Sequence, residues 1–278
     1  MVIAGYLASA LIGISLGLIG GGGSILTVPV LVYLLGVNPV LATAYSLFIV
    51  GATSMIGALP KYREGLVDLK TAVIFGIPSI LSVYATRAWL VPQIPDPVFQ
   101  TDSFVLTKAL LMMGLFAVLM IFASVSMIRS KESTEDNVSA VNAEPRQFNY
   151  PMILLEGALV GALTGFVGAG GGFLIIPALV LFSKLPMKMA VGTSLLIIAA
   201  KSMLGFMGDL SHYQLDWFLL SSVTSLAIVG MFLGNYLSRQ INSDILKKGF
   251  GWFVLLMGLY ILLKEFALHP LLPAVAHG

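Results

Sequence analysis

The chain has 278 residues, of which 58% are hydrophobic and only 10% charged. Soluble domains carry about 25% charged residues, so this composition belongs in a bilayer. A formal charge of +2 without a basic cluster argues against nucleic acid, and zero cysteines exclude disulfides, thiolate metal sites and cysteine nucleophiles.

Taken in chain order, apolar stretches of membrane length are predicted over 2–20, 40–58, 69–91, 104–128, 150–168, 188–208, 215–237 and 246–267. The first lacks a basic n-region, and glycines follow where a cleavage site would stand, so it is expected to be retained. Two further pieces, 24–36 and 173–183, are short. Thirteen residues reach roughly 20 Å against roughly 30 Å of hydrocarbon. Each follows a glycine cluster, so each predicts a hairpin of a longer helix, a break and a short helix. Whether these hairpins re-enter or cross stays open. The hydrophilic stretch 129–149, with Ser130, Lys131, Glu132, Ser133, Thr134, Glu135, Asp136 and Asn137, reads as a linker between a first repeat, 1–128, and a second, 150–278. Both repeats make one membrane domain.

The chain repeats itself. Residues 13–57 align without a gap on 161–205, and the identical pairs include Gly13/Gly161, Gly17/Gly165, Gly20/Gly168, Gly22/Gly170, Gly23/Gly171, Pro29/Pro177, Ala42/Ala190, Ser46/Ser194, Ser54/Ser202 and Gly57/Gly205. A duplicated, glycine-interrupted apolar segment points to a transporter built from two related halves. Positive residues orient it. Lys61, Arg63, Lys70, Arg129, Lys131, Arg146, Lys184, Lys188, Arg239, Lys247 and Lys248 mark loops expected in the cytoplasm, whereas 92–103 and 209–214 hold no Lys or Arg. The basic loop 59–70 aligns with 207–218, which holds Asp209, His212 and Asp216. The same loop therefore lies inside in one repeat and outside in the other. The expected fold is an all-α integral membrane protein of two inverted repeats, each a Gly-broken helical hairpin plus three transmembrane helices, about eight to ten membrane segments in all. Both termini are expected outside and the linker inside.

Broken backbone at membrane depth must face protein or a water-filled cavity. At Gly20, Gly21, Gly22 and Gly23, and again at Gly168, Ala169, Gly170, Gly171 and Gly172, the short helices beginning near Ser24 and Gly172 turn free N–H groups toward that place, which suits a small anion. Close packing is the other reading of the glycines, and the favoured one for Gly13, Gly17, Gly161 and Gly165. Pro29 and Pro177 are read as tolerated kinks. A nucleotide site is rejected. After Gly168-Ala169-Gly170 the third fingerprint glycine is replaced by Phe173, and no P-loop lysine follows.

Hydroxyls follow on the next helix of each repeat. Thr43, Tyr45 and Ser46 align with Val191, Thr193 and Ser194, and Thr53 and Ser54 with Lys201 and Ser202. Ser46, Ser194 and Thr193 are candidate site residues, although such hydroxyls also bond backbone carbonyls of their own helix. Lys201 has no cationic twin; it either supplies a counter-charge to an anion or snorkels to the outer interface. Glu156 is read as helix-dipole complementation, with a proton relay as the alternative. Arg87 is read as an interfacial anchor, Asp209, His212 and Asp216 as a solvated outer loop, and His269 and His277 as a tail. No catalytic residue, metal site or cofactor is expected.

The run Gly17-Leu18-Ile19-Gly20-Gly21-Gly22-Gly23-Ser24-Ile25-Leu26-Thr27-Val28-Pro29, repeated as Gly165-Phe166-Val167-Gly168-Ala169-Gly170-Gly171-Gly172-Phe173-Leu174-Ile175-Ile176-Pro177, resembles the sulfite exporter TauE/SafE family, the TSUP transporters. The blocks Ala42-Thr43-Ala44-Tyr45-Ser46 and Ala190-Val191-Gly192-Thr193-Ser194 resemble its second motif. The resemblance implies movement of sulfite, thiosulfate or small organosulfonates, commonly as export from the bacterial cytoplasm across the inner membrane. The expected partners are thus a small anionic substrate and the lipid bilayer, with no nucleic acid. The rivals are an anion channel or uptake carrier on the same fold, and a membrane enzyme or assembly subunit, which would need an intramembrane His/Glu/Asp constellation.

Overall fold

A computed structural model describes residues 2–101, 104–129, 150–181, 183, 185–237 and 243–267. The elements are α1 (Val2–Ile19), a 3-10 stretch Gly20–Leu26 running into α2 (Thr27–Pro29) and a π-helical turn Val30–Leu34, then α3 (Pro39–Arg63). Next, α4 (Leu69–Ala85) continues through a π-helical turn Thr86–Leu90 into α5 (Val91–Gln93), and α6 spans Lys108–Arg129. The second half holds α7 (Tyr150–Val167), α8 (Gly172–Leu181), α9 (Met187–Asp209), α10 (Trp217–Leu237) and α11 (Ser243–Leu262), the last prolonged by a π-helical turn Leu263–Ala267.

Six helices are long and apolar enough to cross a membrane, namely Pro39–Arg63, Leu69–Gln93, Lys108–Arg129, Met187–Asp209, Trp217–Leu237 and Lys248–Phe266. Ala4–Ile19, Gly23–Leu34 and Pro151–Val167 are shorter apolar helices. The chain is therefore an all-α multi-pass membrane protein. One span starts later than the sequence predicts. Residues 104–106 leave the helix and pair instead as β2 (Phe104–Leu106) against β1 (Phe99–Thr101), antiparallel, with Phe99 opposite Leu106. The β-branched and aromatic run favours a strand there, and the helix starts where the Thr107 hydroxyl accepts from the Leu110 amide, 3.1 Å. Of the expected linker, 129–149, only Arg129 is among the described residues; 130–149, His269 and His277 lie outside them.

Helix starts are written locally. The Asn38 carboxamide accepts from Val40 N ahead of Pro39, the Asp68 carboxylate from Thr71 N, and the Asp216 carboxylate from Phe218 N and Leu219 N. Packing then follows an exchange pattern between the halves. α1 packs on α10 while α7 packs on α4; α3 packs on α9, and α6 on α11. Small residues let those backbones approach. A Cβ on Gly17 would stand 2.6 Å from the Asn235 amide on α10, and one on Gly161 2.5 Å from the Ser79 carbonyl on α4. The packing reading of Gly13, Gly17, Gly161 and Gly165 matches these contacts.

α3 and α9 form the centre: 67% of each apolar window is buried, against 22–44% for the other four spans. Side chains such as Leu81, Phe122, Phe218, Tyr236 and Leu256 point outward and are exposed. An apolar exterior around a polar-studded interior is the pattern lipid demands.

Candidate functional site

The two glycine breaks touch. A Cβ on Gly21 would lie 2.7 Å from Gly172 Cα, and one on Gly172 would overlap the Gly21 carbonyl group. Gly21 also abuts Ile198 on α9, and Gly170 abuts Val50 on α3, both near mid-length of their helices. Each break thus leans on the long central helix of the other half.

The breaks are built differently. The second is non-helical over 168–171, with φ of +74°, +65° and +75° at Gly168, Gly170 and Gly171, a region that side-chain-bearing residues avoid. Gly171 then offers its carbonyl to Leu174 N and Ile175 N, both 3.0 Å, so the amides of Gly172 and Phe173 precede the first intrahelical bond of α8. The first break has one left-handed residue, Gly20, and then winds directly into the 3-10 stretch Gly20–Leu26. Its helical start is therefore at Gly20 and not near Ser24 as expected. Gly22 sits within that stretch; Gly23 packs back on α1 at Ser15 and Leu16. The tight 3-10 pitch accommodates four consecutive glycines because no Cβ crowds its eclipsed turns.

Hydroxyls face these breaks by helical spacing. Thr43 abuts Gly168 and Val50 abuts Gly170, so Ser46, between them at i+3, shares that face of α3. Val191 and Ile198 abut Gly20 and Gly21, which puts Ser194 on the corresponding face of α9. Ser194 Oγ donates to the Val191 carbonyl (2.8 Å) and Ser24 Oγ to the Gly21 carbonyl (2.8 Å). The Ser46 hydroxyl is buried with no partner, as are Ser54 and Ser202, another duplicated pair. An unpartnered buried polar group costs about 1–3 kcal/mol, and Thr27, Thr71 and Ser79 carry such hydroxyls as well.

Lys201 settles on the second break. It is 0% exposed, which rules out snorkelling, and its Nζ donates to Thr164 Oγ1 on α7 at 2.6 Å. A Cβ on Gly171 would stand 2.7 Å from that ammonium. An ammonium has three donors and Thr164 takes one. Thr164 escaped the sequence reading, although a signal existed: the first half carries Leu16 and Thr53 where the second carries Thr164 and Lys201. Both members of the pair change together. The described residues of both breaks are buried, Ala169 at 0% and Ser24 at 0%.

Residues 6–261 match the sulfite exporter TauE/SafE family. The chain belongs to that family. It is similar to a probable membrane transporter protein of Xylella fastidiosa (29% identical, covering 94% of each chain) and to the probable membrane transporter protein YunE of Bacillus subtilis (28%, covering 83% of this chain and 85% of that one). A further probable membrane transporter protein, from Haemophilus influenzae, is 25% identical over 93% of this chain and 97% of its own. No solved structure matches.

In this TauE/SafE transporter, Thr193 serves the scaffold. Its hydroxyl accepts from Asp68 N at 2.9 Å, and the aligned Tyr45 hydroxyl accepts from Asp216 N at 2.6 Å. Asp68 and Asp216 cap α4 and α10, so each half's central helix secures the start of a helix in the other half. The Tyr45/Thr193 difference is thus a difference between two clamps. Glu156 is withdrawn from solvent with both oxygens unpartnered.

Two outer-loop expectations are corrected. Arg87 is not an interfacial anchor and Asp209 is not solvated: both are 0% exposed and they form an ion pair, Arg87 Nη1 to Asp209 Oδ2, 3.4 Å. The helix packing of α4 on α9 encloses them before either reaches an interface. His212 and Asp216 are exposed as expected. Burial, and then the Asp209 carboxylate, push the Tyr213 phenol above its ordinary range.

Proposed function

We propose that this protein is a secondary transporter of a small sulfur-containing anion (sulfite, thiosulfate or an organosulfonate), working as an exporter in a bacterial cytoplasmic membrane. One observation carries the reading: two glycine breaks meet at mid-length of α3 and α9 beside a buried, single-partnered ammonium, Lys201. The anion would rest against Gly20–Ser24 and Gly168–Gly172, held by first-turn N–H groups, Lys201, Ser46 and Ser194, with Thr193 supporting from the clamp. The sulfur chemistry rests on the family, whose description is sulfite exporter.

The exchange of packing partners between halves supports an inverted-repeat arrangement, with 1–128 and 150–278 as the repeats, 129–149 cytoplasmic and both termini outside. Alternating access then follows from the two halves trading conformations around the fixed meeting point of the breaks. Burial of both breaks within the protein supports a carrier over an open channel. Proteoliposomes loaded with thiosulfate, sulfite or sulfoacetate decide it. Saturable flux with counter-transport is expected. No flux of any of the three under an imposed gradient refutes the substrate assignment, and flux without counter-transport favours the channel.

A further inference from the structure

Arg87 is one of the largest fully buried side chains among the described residues, and the glycine-break site does not use it. It lies in the π-helical turn Thr86–Leu90, an element often found at functional positions. Its Nη1 donates to Thr43 Oγ1 at 2.9 Å, while its Nε and Nη2 have no partner at all. Asp209, 3.4 Å from Nη1, makes no hydrogen bond through either oxygen. A purely structural Arg–carboxylate pair at full burial is expected to be bidentate, because only direct hydrogen bonds offset the desolvation of both charges. Here one ion-pair approach at Nη1 replaces the two parallel hydrogen bonds, and the Nε–Nη2 side of the fork is left without a partner. The open edge, Nε with Nη2, is the edge that matches two oxygens of an oxyanion.

The location adds to this. Arg87 and Thr43 come from the first half and Asp209 from the second; Thr43 aligns with Val191 and Asp209 with Lys61, and the position 148 residues after Arg87 holds Asn235, so this charge pair is not repeated. Thr43 abuts Gly168, the first residue of the second break, and a Cβ on Gly208 of α9 would stand 3.1 Å from Arg87 Cβ. Asp209 follows Lys201 by two turns of α9, about 12 Å of rise. Tyr213, Lys108 and His212 are the further ionisable groups within electrostatic reach of the pair among the described residues.

We propose that Arg87, steadied by Thr43, is a second anion-binding station at the α4–α9 end of the pathway, taking the oxyanion or sulfonate group of the substrate on its open Nε–Nη2 edge, and that Asp209, paired with Nη1, balances the guanidinium charge as an internal counter-ion until the anion arrives. An incoming anion takes the open edge, neutralises the guanidinium and so weakens its pairing with Asp209 at Nη1, which loosens α4 of one half from α9 of the other. Binding and the separation of the halves are thereby linked. This rests on the anion-transport reading above.

The test uses the full chain. Thiosulfate and sulfoacetate flux is measured in proteoliposomes, and their shift of the thermal midpoint in detergent, for wild type, Arg87→Gln, Arg87→Lys and Asp209→Asn. Arg87→Gln is expected to weaken apparent affinity ~10-fold or more, and Arg87→Lys to restore it in part, since the charge returns without the fork. Asp209→Asn is expected to tighten affinity several-fold (roughly 3–10-fold) by removing the competing carboxylate. The opposite directions separate this role from a structural pair, which would lower stability alike in Gln and Asn variants and leave affinity unmoved. Unchanged affinity in Arg87→Gln, or parallel weakening in Asp209→Asn, overturns the station while leaving transport intact. If wild type moves none of the anions, transport fails, and the station is judged on the midpoint. An anion shift present in wild type and lost in Arg87→Gln upholds it; equal shifts, or none, overturn it.

Discussion

Replacing Lys201 by Met separates binding from folding. Its ammonium lies 2.6 Å from Thr164 Oγ1 and would sit 2.7 Å from a Cβ on Gly171. An anion seated on that break therefore comes within about 4 Å of the charge, where Coulomb attraction at an effective dielectric of 20 is about 4 kcal/mol. That is a ceiling, because the anion gives up hydration on entering a buried site. A charge-assisted hydrogen bond nets about 1.5–3 kcal/mol, so the dissociation constant is expected to rise roughly 10- to 150-fold. The empty protein should not suffer. A buried charge with a neutral partner is costly to fold around, and Met fills a similar volume, so the thermal midpoint stays level or rises. Titration calorimetry of thiosulfate and sulfoacetate in detergent, with thermal unfolding beside it, reads both quantities. Unchanged affinity, or affinity and midpoint falling together, refutes the reasoning.

Ser46→Ala removes a buried hydroxyl that has no partner, so stability of the empty protein should hold or rise while anion affinity falls by roughly 3–10-fold; a lower midpoint with unchanged affinity contradicts this. Gly172→Ala drives a Cβ into the Gly21 carbonyl group and should cost about 1–3 kcal/mol and abolish flux. Gly249→Ala, in α11 with nothing within 4 Å, should gain about 0.5–1 kcal/mol; equal effects of the two in thermal unfolding would undo the close-approach account. Tyr45→Phe and Thr193→Val each delete one clamp bond and should each lower stability by about 1 kcal/mol. A loss of anion affinity without a change in midpoint would return Thr193 to direct substrate contact.

The apolar spans, the duplication and the two breaks were legible because they are properties of neighbouring residues. Hydropathy over twenty residues, a glycine run and an aligned repeat need no knowledge of the rest of the chain. The small hairpin at 99–106 was missed because a short β-branched run is as apolar as a helix start. The same limit explains Arg87 and Asp209. Each stands near a helix end beside a polar loop, where an isolated helix would expose it. Only packing α4 against α9 buries both, and only then do their charges meet. Lys201 was recognisable as an ionisable residue inside a span, but its reach to Thr164 and Gly171 decided between snorkelling and the break. By itself the sequence determined which segments enter the membrane and where their backbone breaks, since those depend on local composition and sterics. Tertiary structure alone decided which polar groups are satisfied and which are left waiting, since hydrogen bonds and ion pairs form between residues that packing, not sequence proximity, brings within 3 Å or so.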